Sequence, residues 1–179
     1  MIATGFTQSE LDTLLAIMDE LVPPLPTKLD KIEAARVTAL RIAITDKGAL
    51  LHIETKGGET GLYWLNVWVA KELAGAISFS SDAYNWAMRG LKPNPSDHMK
   101  EPTPTDLNTA ADVHSLATYG EPSGVIVRFA IGNPITHRTL YLPRVAALEV
   151  MMGLGQGGTK AEWWNEEDFE LIPSRESQH

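Results

Sequence analysis

Apolar residues along this chain change their spacing several times, and each change marks a predicted element. In TQSELDTLLAIMDELVPP, Leu11, Leu14, Leu15, Met18 and Leu21 recur at three and four, the spacing that lines one face of an α-helix. Thr7 followed by Glu10 has the pattern of a capping box, so a helix is expected over residues 8–21, ended by Pro23 and Pro24. KLDKIEAAR at 28–36 predicts a second, short helix with Leu29, Ile32 and Ala35 facing inward.

From Val37 the period changes to that of strands. VTALRIAIT and ALLHIET flank Asp46-Lys47-Gly48, which predicts a hairpin of strands near 37–45 and 49–55 with Leu40, Ile42 and Ile44 on one face. Residues 56–61 read as a loop. LYWLNVWVAKELAGAI fits alternation at its start and helical spacing thereafter, through Leu65, Trp68, Val69, Leu73 and Ile77. The strong helix formers at 70–74 favour a strand stub passing into a helix over about 65–77. Ser81 and Asp82 are placed to cap AYNWAMR, with Gly90 at its left-handed end.

Four prolines, at 93, 95, 102 and 104, make residues 91–105 a linker or mobile loop. DLNTAADVHSLATYG predicts a helix after Thr105 ended by Gly120. A second hairpin, 124–142, is expected to turn at Gly132-Asn133-Pro134. Pro143 then opens a helix that carries Val145, Leu148, Met151 and Met152 on one side. A short strand is expected around Phe169 to Ile172.

These elements predict an α+β fold: one domain over residues 1–158, with an antiparallel sheet built from two β-hairpins (about 37–55 and 124–142) and helices packed on one face. An acidic, tryptophan-bearing segment, 159–179, would follow it. RIAI at 41–44 and RFAI at 128–131 each stand in a hairpin that feeds a helix, a hint of internal duplication.

Composition narrows the functional classes. The 179 residues are 44% hydrophobic, enough for a sizeable core in one domain. A net charge of -8 opposes a phosphate backbone, so no direct nucleic-acid binding is expected. With no cysteine there is no disulfide, thiolate zinc site, iron–sulfur cluster or cysteine nucleophile, and no cofactor is expected. MIATGFTQSELDTLL lacks the basic and apolar regions of a signal peptide, and no long uncharged apolar run is present. A cytoplasmic protein with no membrane contact is the expectation.

Gly153, Gly155 and Gly158 spell G-x-G-x-x-G, but after a predicted helix rather than between a strand and a helix start. A helix C-terminus presents carbonyls, which repel phosphate. Thr159-Lys160 also reverses the Lys-Thr order of a phosphate loop. The glycines therefore read as a helix C-cap leading into a flexible connector.

Two constellations remain. His52 and Glu54 sit two apart on a predicted strand and share a face, as two metal ligands or a base and its orienter would. A further ligand would come from His114, Asp112, His137, Asp97 or His98, and no HExxH spacing supports a metal. The ordinary reading is a polar strand face. Ser78, Ser80 and Ser81 lack a nucleophile-elbow pattern and read as helix caps. Of the tryptophans, Trp68 and Trp86 are expected in the core. Adjacent Trp163 and Trp164 cannot both point inward, so one belongs to the surface. From 160 to 179, six acids stand against Lys160 and Arg175, half of the net charge.

The leading expectation is a non-catalytic cytoplasmic interaction module of chaperone, assembly-factor or inhibitor type, a homodimer that binds a protein partner through Trp163, Trp164, Glu166, Glu167 and Asp168. The alternative is a small ligand-binding protein or enzyme whose pocket, between sheet and helices, uses His52, Glu54 and His114 with the proline-rich loop as a lid.

Overall fold

The computed structural model describes Gly5, residues 7–91 and residues 104–164. Expectations for Asp97, His98 and the rest of 92–103, for Glu166, Glu167 and Asp168, and for a strand at 169–172 lie outside the described residues.

The elements run α1 (Gln8–Leu21), a 3-10 turn (Lys28–Ile32), β1 (Ala35–Thr45), β2 (Gly48–Thr55), β3 (Thr60–Asn66), α2 (Val67–Ser80), α3 (Ala83–Met88), α4 (Pro104–Thr109), β4 (Ala111–Glu121), β5 (Gly124–Ile131), β6 (Thr136–Pro143) and α5 (Arg144–Lys160). The class is α+β, and both hairpins form as their alternation predicts. Ile42 opposes Leu51 in the first, and Val127 opposes Leu140 in the second. The sheet is nevertheless mixed. Parallel seams join β1 to β6 through Ala35 and Leu140, and β3 to β4 through Tyr63 and Ala111, closing the order β1-β2-β3-β4-β5-β6 into a barrel. The helical crossover from β3 to β4 is what lets consecutive strands run parallel.

The two halves repeat one plan of three strands and a helix. Their strands begin with Ala35 and Ala111, Gly48 and Gly124, Thr60 and Thr136. At both hairpin turns glycine is required for the same reason: a Cβ on Gly48 would strike the Leu65 carbonyl, and one on Gly124 the Leu142 carbonyl. The RIAI and RFAI strings do not mark this repeat. RIAI lies on β1, the first strand of its half, and RFAI on β5, the second strand of its half.

Residues 111–121, predicted as helix, form β4. Val113 and Leu116, three apart, both enter the core because the β4–β5 register shifts between Val113 and Ser115. Val37 and Leu40 behave identically around the irregularity between Val37 and Ala39. A bulge adds one residue to the alternation, and so imitates helical spacing.

One core joins Ile42, Leu51, Ile53, Leu65, Val127, Phe129 and Leu140 of the strands to Ala70, Leu73, Ile77, Ala147, Leu148, Val150 and Leu154 of α2 and α5. Trp86 of α3 closes it, as expected. Trp68, expected in the core, is 68% exposed. The reason is a later helix start: the Asn66 side chain caps the Val69 amide at 3.0 Å, and the face then buried is Val69, Ala70, Leu73 and Ile77.

The predicted glycine cap of α5 is also corrected, since the helix continues through Gly153, Gly155, Gly157 and Gly158 to Lys160. Close packing explains the glycines better than chain reversal does. A Cβ on Gly157 would enter the Ile44 side chain, and one on Gly158 would enter the rings of Trp163 and Trp164. The left-handed residue that ends the helix is Glu162, at φ 59°.

Candidate functional site

His52 and Glu54 share a face of β2, opposite the core face that carries Leu51 and Ile53. His52 is half-buried and Glu54 is exposed. Their pairing partners are Arg41 and Leu62 for His52, and Ala39 and Thr60 for Glu54, so neither meets another predicted ligand across the ladder. His114 is exposed on β4, with its Nε2 at 2.8 Å from the Gly132 carbonyl. Among the described residues no three His, Asp or Glu side chains gather as a metal site would require.

The adjacent tryptophans divide as their geometry demands. Trp163 is 3% exposed and donates its indole N–H to the Thr45 carbonyl at 2.7 Å, so its surface is spent inside the molecule. Trp164 is 36% exposed. The Lys71 ammonium lies 5.5 Å from the ring centroids of both Trp164 and Trp68, a cation–π arrangement between α2 and the end of α5. Glu72, next to Lys71, has its carboxyl pushed above the usual range by burial.

At the end of β4 lies a polar cluster that motif reasoning missed. Glu121 ends β4 and is 7% exposed. Lys31, from the 3-10 turn, pairs with its Oε2 at 3.1 Å and donates to Ser123 Oγ at 2.9 Å. Tyr141 donates to the same Ser123 oxygen at 2.7 Å, and Ser123 donates in turn to Glu121 at 3.3 Å. Each hydroxyl position is thereby used. The hydrogen bond to Glu121 raises the Lys31 pKa above its ordinary value, so Lys31 is held as a cation and is no base for Ser123. The cluster is a clamp. An open cleft of about 570 Å³ borders it, lined by Leu29, Ile32, Tyr119 and Pro122 among others.

No family model, curated protein or solved structure matches the chain.

The clamp makes sense of the segment that it holds. Residues 22–34 are tied to the barrel by charge: besides Lys31–Glu121, Asp30 pairs with Arg128 at 3.1 Å, and Arg128 also donates to the Pro24 carbonyl at 2.8 Å. The Thr27 amide donates to Asp30 at 2.6 Å, which with Arg128 lowers the carboxyl's pKa. Pro23 and Pro26 are buried. Leu25, Leu29 and Ile32 point the other way, 75%, 77% and 85% exposed. The expectation that Leu29 and Ile32 face inward is therefore corrected, because the ion pairs select the opposite face. The segment is inverted, with charge against the barrel and apolar side chains toward solvent.

α1 extends this surface. Its predicted span and capping box are present, with the Thr7 hydroxyl accepting from the Glu10 amide at 3.2 Å and Glu10 accepting from the Thr7 amide at 2.7 Å. Its apolar face is not buried: Leu11, Leu14, Leu15, Ile17, Met18 and then Val22 are all exposed. The apolar stripe was legible in the sequence. What the sequence withheld was that nothing in the described chain covers it.

Proposed function

We propose that this protein is a non-catalytic interaction module, and that its binding surface is the N-terminal arm formed by α1 and the clamped segment through Ile32. The observation that carries the reading is the inversion of residues 25–32. Fully burying a leucine or isoleucine gains about 1.5–3 kcal/mol, and the arm leaves Leu15, Leu25, Leu29 and Ile32 more than half exposed. Contiguous apolar surface of this kind marks a site of association. α1 alone has 14 residues, a length at which an isolated helix is marginal in water. A partner would supply the packing it lacks. Trp68 and Trp164 add a second exposed aromatic surface at the α2–α5 side of the barrel.

A cytoplasmic setting, expected from the sequence, belongs to this proposal; the self-association also expected there would use a surface other than the arm. No helix among the described residues is long and apolar enough to cross a membrane.

The test is the double variant Leu14→Asp/Met18→Asp in the full chain. Its melting temperature and circular dichroism should match the parent's, because Leu14 and Met18 are exposed, while chemical cross-linking to partner proteins should be lost. Unaltered cross-linking in the variant would refute the role of the arm.

A further inference from the structure

We infer that the arm takes a cationic amphipathic helix or strand-like segment of another protein, rather than a second copy of this chain. The inference rests on the interaction reading above and adds the chemistry of the occupant.

Through Ile32 the arm contains five carboxylates, Glu10, Asp12, Asp19, Glu20 and Asp30, against Lys28 and Lys31, and of these Asp30 and Lys31 are paired with Arg128 and Glu121 of the barrel, which leaves the arm net acidic. Glu10, Asp12, Asp19 and Glu20 belong to the element whose apolar face is open, so any segment laid on that face meets their field. The position of these acids along the helix adds to the indication. Glu10 lies in the first turn of α1, where the helix dipole favours an acid. Asp19 and Glu20 lie in its last turn, where unpaired carbonyls already gather negative charge, and no base accompanies them there. Such an arrangement opposes the local electrostatics of the free helix and is relieved by positive charge brought from outside. Local rules broken without internal compensation are a mark of function.

Charge also argues against the other occupants. An antiparallel pair of α1 helices from two copies would lay the acid-bearing first turn of one along the acid-bearing last turn of the other. The whole chain carries -8, which adds to that repulsion. An anionic lipid surface attracts basic segments and is opposed by this one. A basic amphipathic segment satisfies both features together, with its apolar side against Leu11, Leu14, Leu15 and Met18 and its cations beside the carboxylates. Helix-in-groove recognition by apolar anchors three and four apart is the corresponding binding mode.

The test uses the full chain and two labelled synthetic peptides of about 18 residues with the same leucine face, one with Lys and Arg on its polar side and the other with Glu. Fluorescence anisotropy should show the cationic peptide binding at least about tenfold more tightly, with that advantage falling as salt rises from about 50 to about 500 mM. Leu14→Asp/Met18→Asp should abolish binding, and Glu10→Gln/Asp12→Asn/Asp19→Asn/Glu20→Gln should abolish the preference alone. Equal binding of both peptides, lost in the leucine–methionine variant, would overturn the cationic assignment and leave the arm as a docking surface. Overturning results would also be a stable dimer that Leu14→Asp/Met18→Asp converts to monomer with no affinity for either peptide, or preferential binding to anionic vesicles. Binding of neither peptide, with arm-dependent cross-linking intact, would likewise overturn it.

Discussion

Trp163→Ala is expected to lower the unfolding free energy by about 3–5 kcal/mol, whereas Trp164→Ala should cost about 1 kcal/mol or less. The two residues are chemically identical neighbours, so the contrast isolates their environments. Trp163 is buried against Gly158, and its indole N–H is held by the Thr45 carbonyl. Alanine there opens a cavity at the junction of α5 with the β1–β2 turn and strands that carbonyl. Trp164 is 36% exposed, with its ring against Gly158 and 6.0 Å from the Trp163 ring, so its removal takes away fewer buried contacts. Urea unfolding of the two variants decides the matter. Equal costs would mean that the end of α5 does not pack back on the barrel.

The second large effect concerns the glycines of α5. Gly157→Ala is expected to destabilise the protein by about 1–3 kcal/mol, the usual result of forcing atoms into a filled core, because its Cβ would enter Ile44 of β1. Gly155→Ala, two residues away in the same helix, meets nothing within 4 Å. It should instead raise stability by about 0.5–1 kcal/mol through better helix propensity. Opposite signs from one substitution in one helix follow only if residues 153–158 are helical and 157 faces the sheet. If these glycines formed a flexible connector, both substitutions would be nearly silent in thermal melts.

Much of the architecture could be read from the chain because its cues are local. Thr7 and Glu10 cap α1 where the spacing places it, Asp46-Lys47-Gly48 turns the first hairpin, and Leu40, Ile42 and Ile44 share a face. The misreadings have a common origin in tertiary packing. Val113 and Leu116 looked compatible with a helix because a bulge shifts the strand's alternation. The α5 glycines looked like a terminus because only the neighbouring Ile44 and Trp163 explain them as sites of close approach. Trp68 reads as core only when Leu65 is counted on the same helix; Leu65 belongs to β3, and the helix that Asn66 caps buries Val69, Ala70, Leu73 and Ile77 and leaves Trp68 on its outer side.

The candidate surface was half legible. Its apolar residues were evident at three and four spacing, but burial was assumed from that spacing alone. Which face of residues 28–32 turns outward depends on Glu121 and Arg128, about a hundred residues away in the chain, and no local pattern reports it. The duplication was similarly hidden. Equivalent positions such as Trp64 and Tyr141, which crowd Gly48 and Gly124 in turn, share a place in the fold and little chemistry.

Hydrogen exchange on the dilute full chain tests the central claim most directly. If α1 is an uncovered docking element, the amides of residues 8–21 should exchange close to the rate of unstructured chain, while those of Ile42, Leu51 and Val127 stay protected. Saturating cationic amphipathic peptide should then slow exchange in 8–21 and leave the barrel unchanged. Protection of α1 equal to that of the barrel in the free, monomeric protein would contradict the account, because the helix would already have its partner within the same chain.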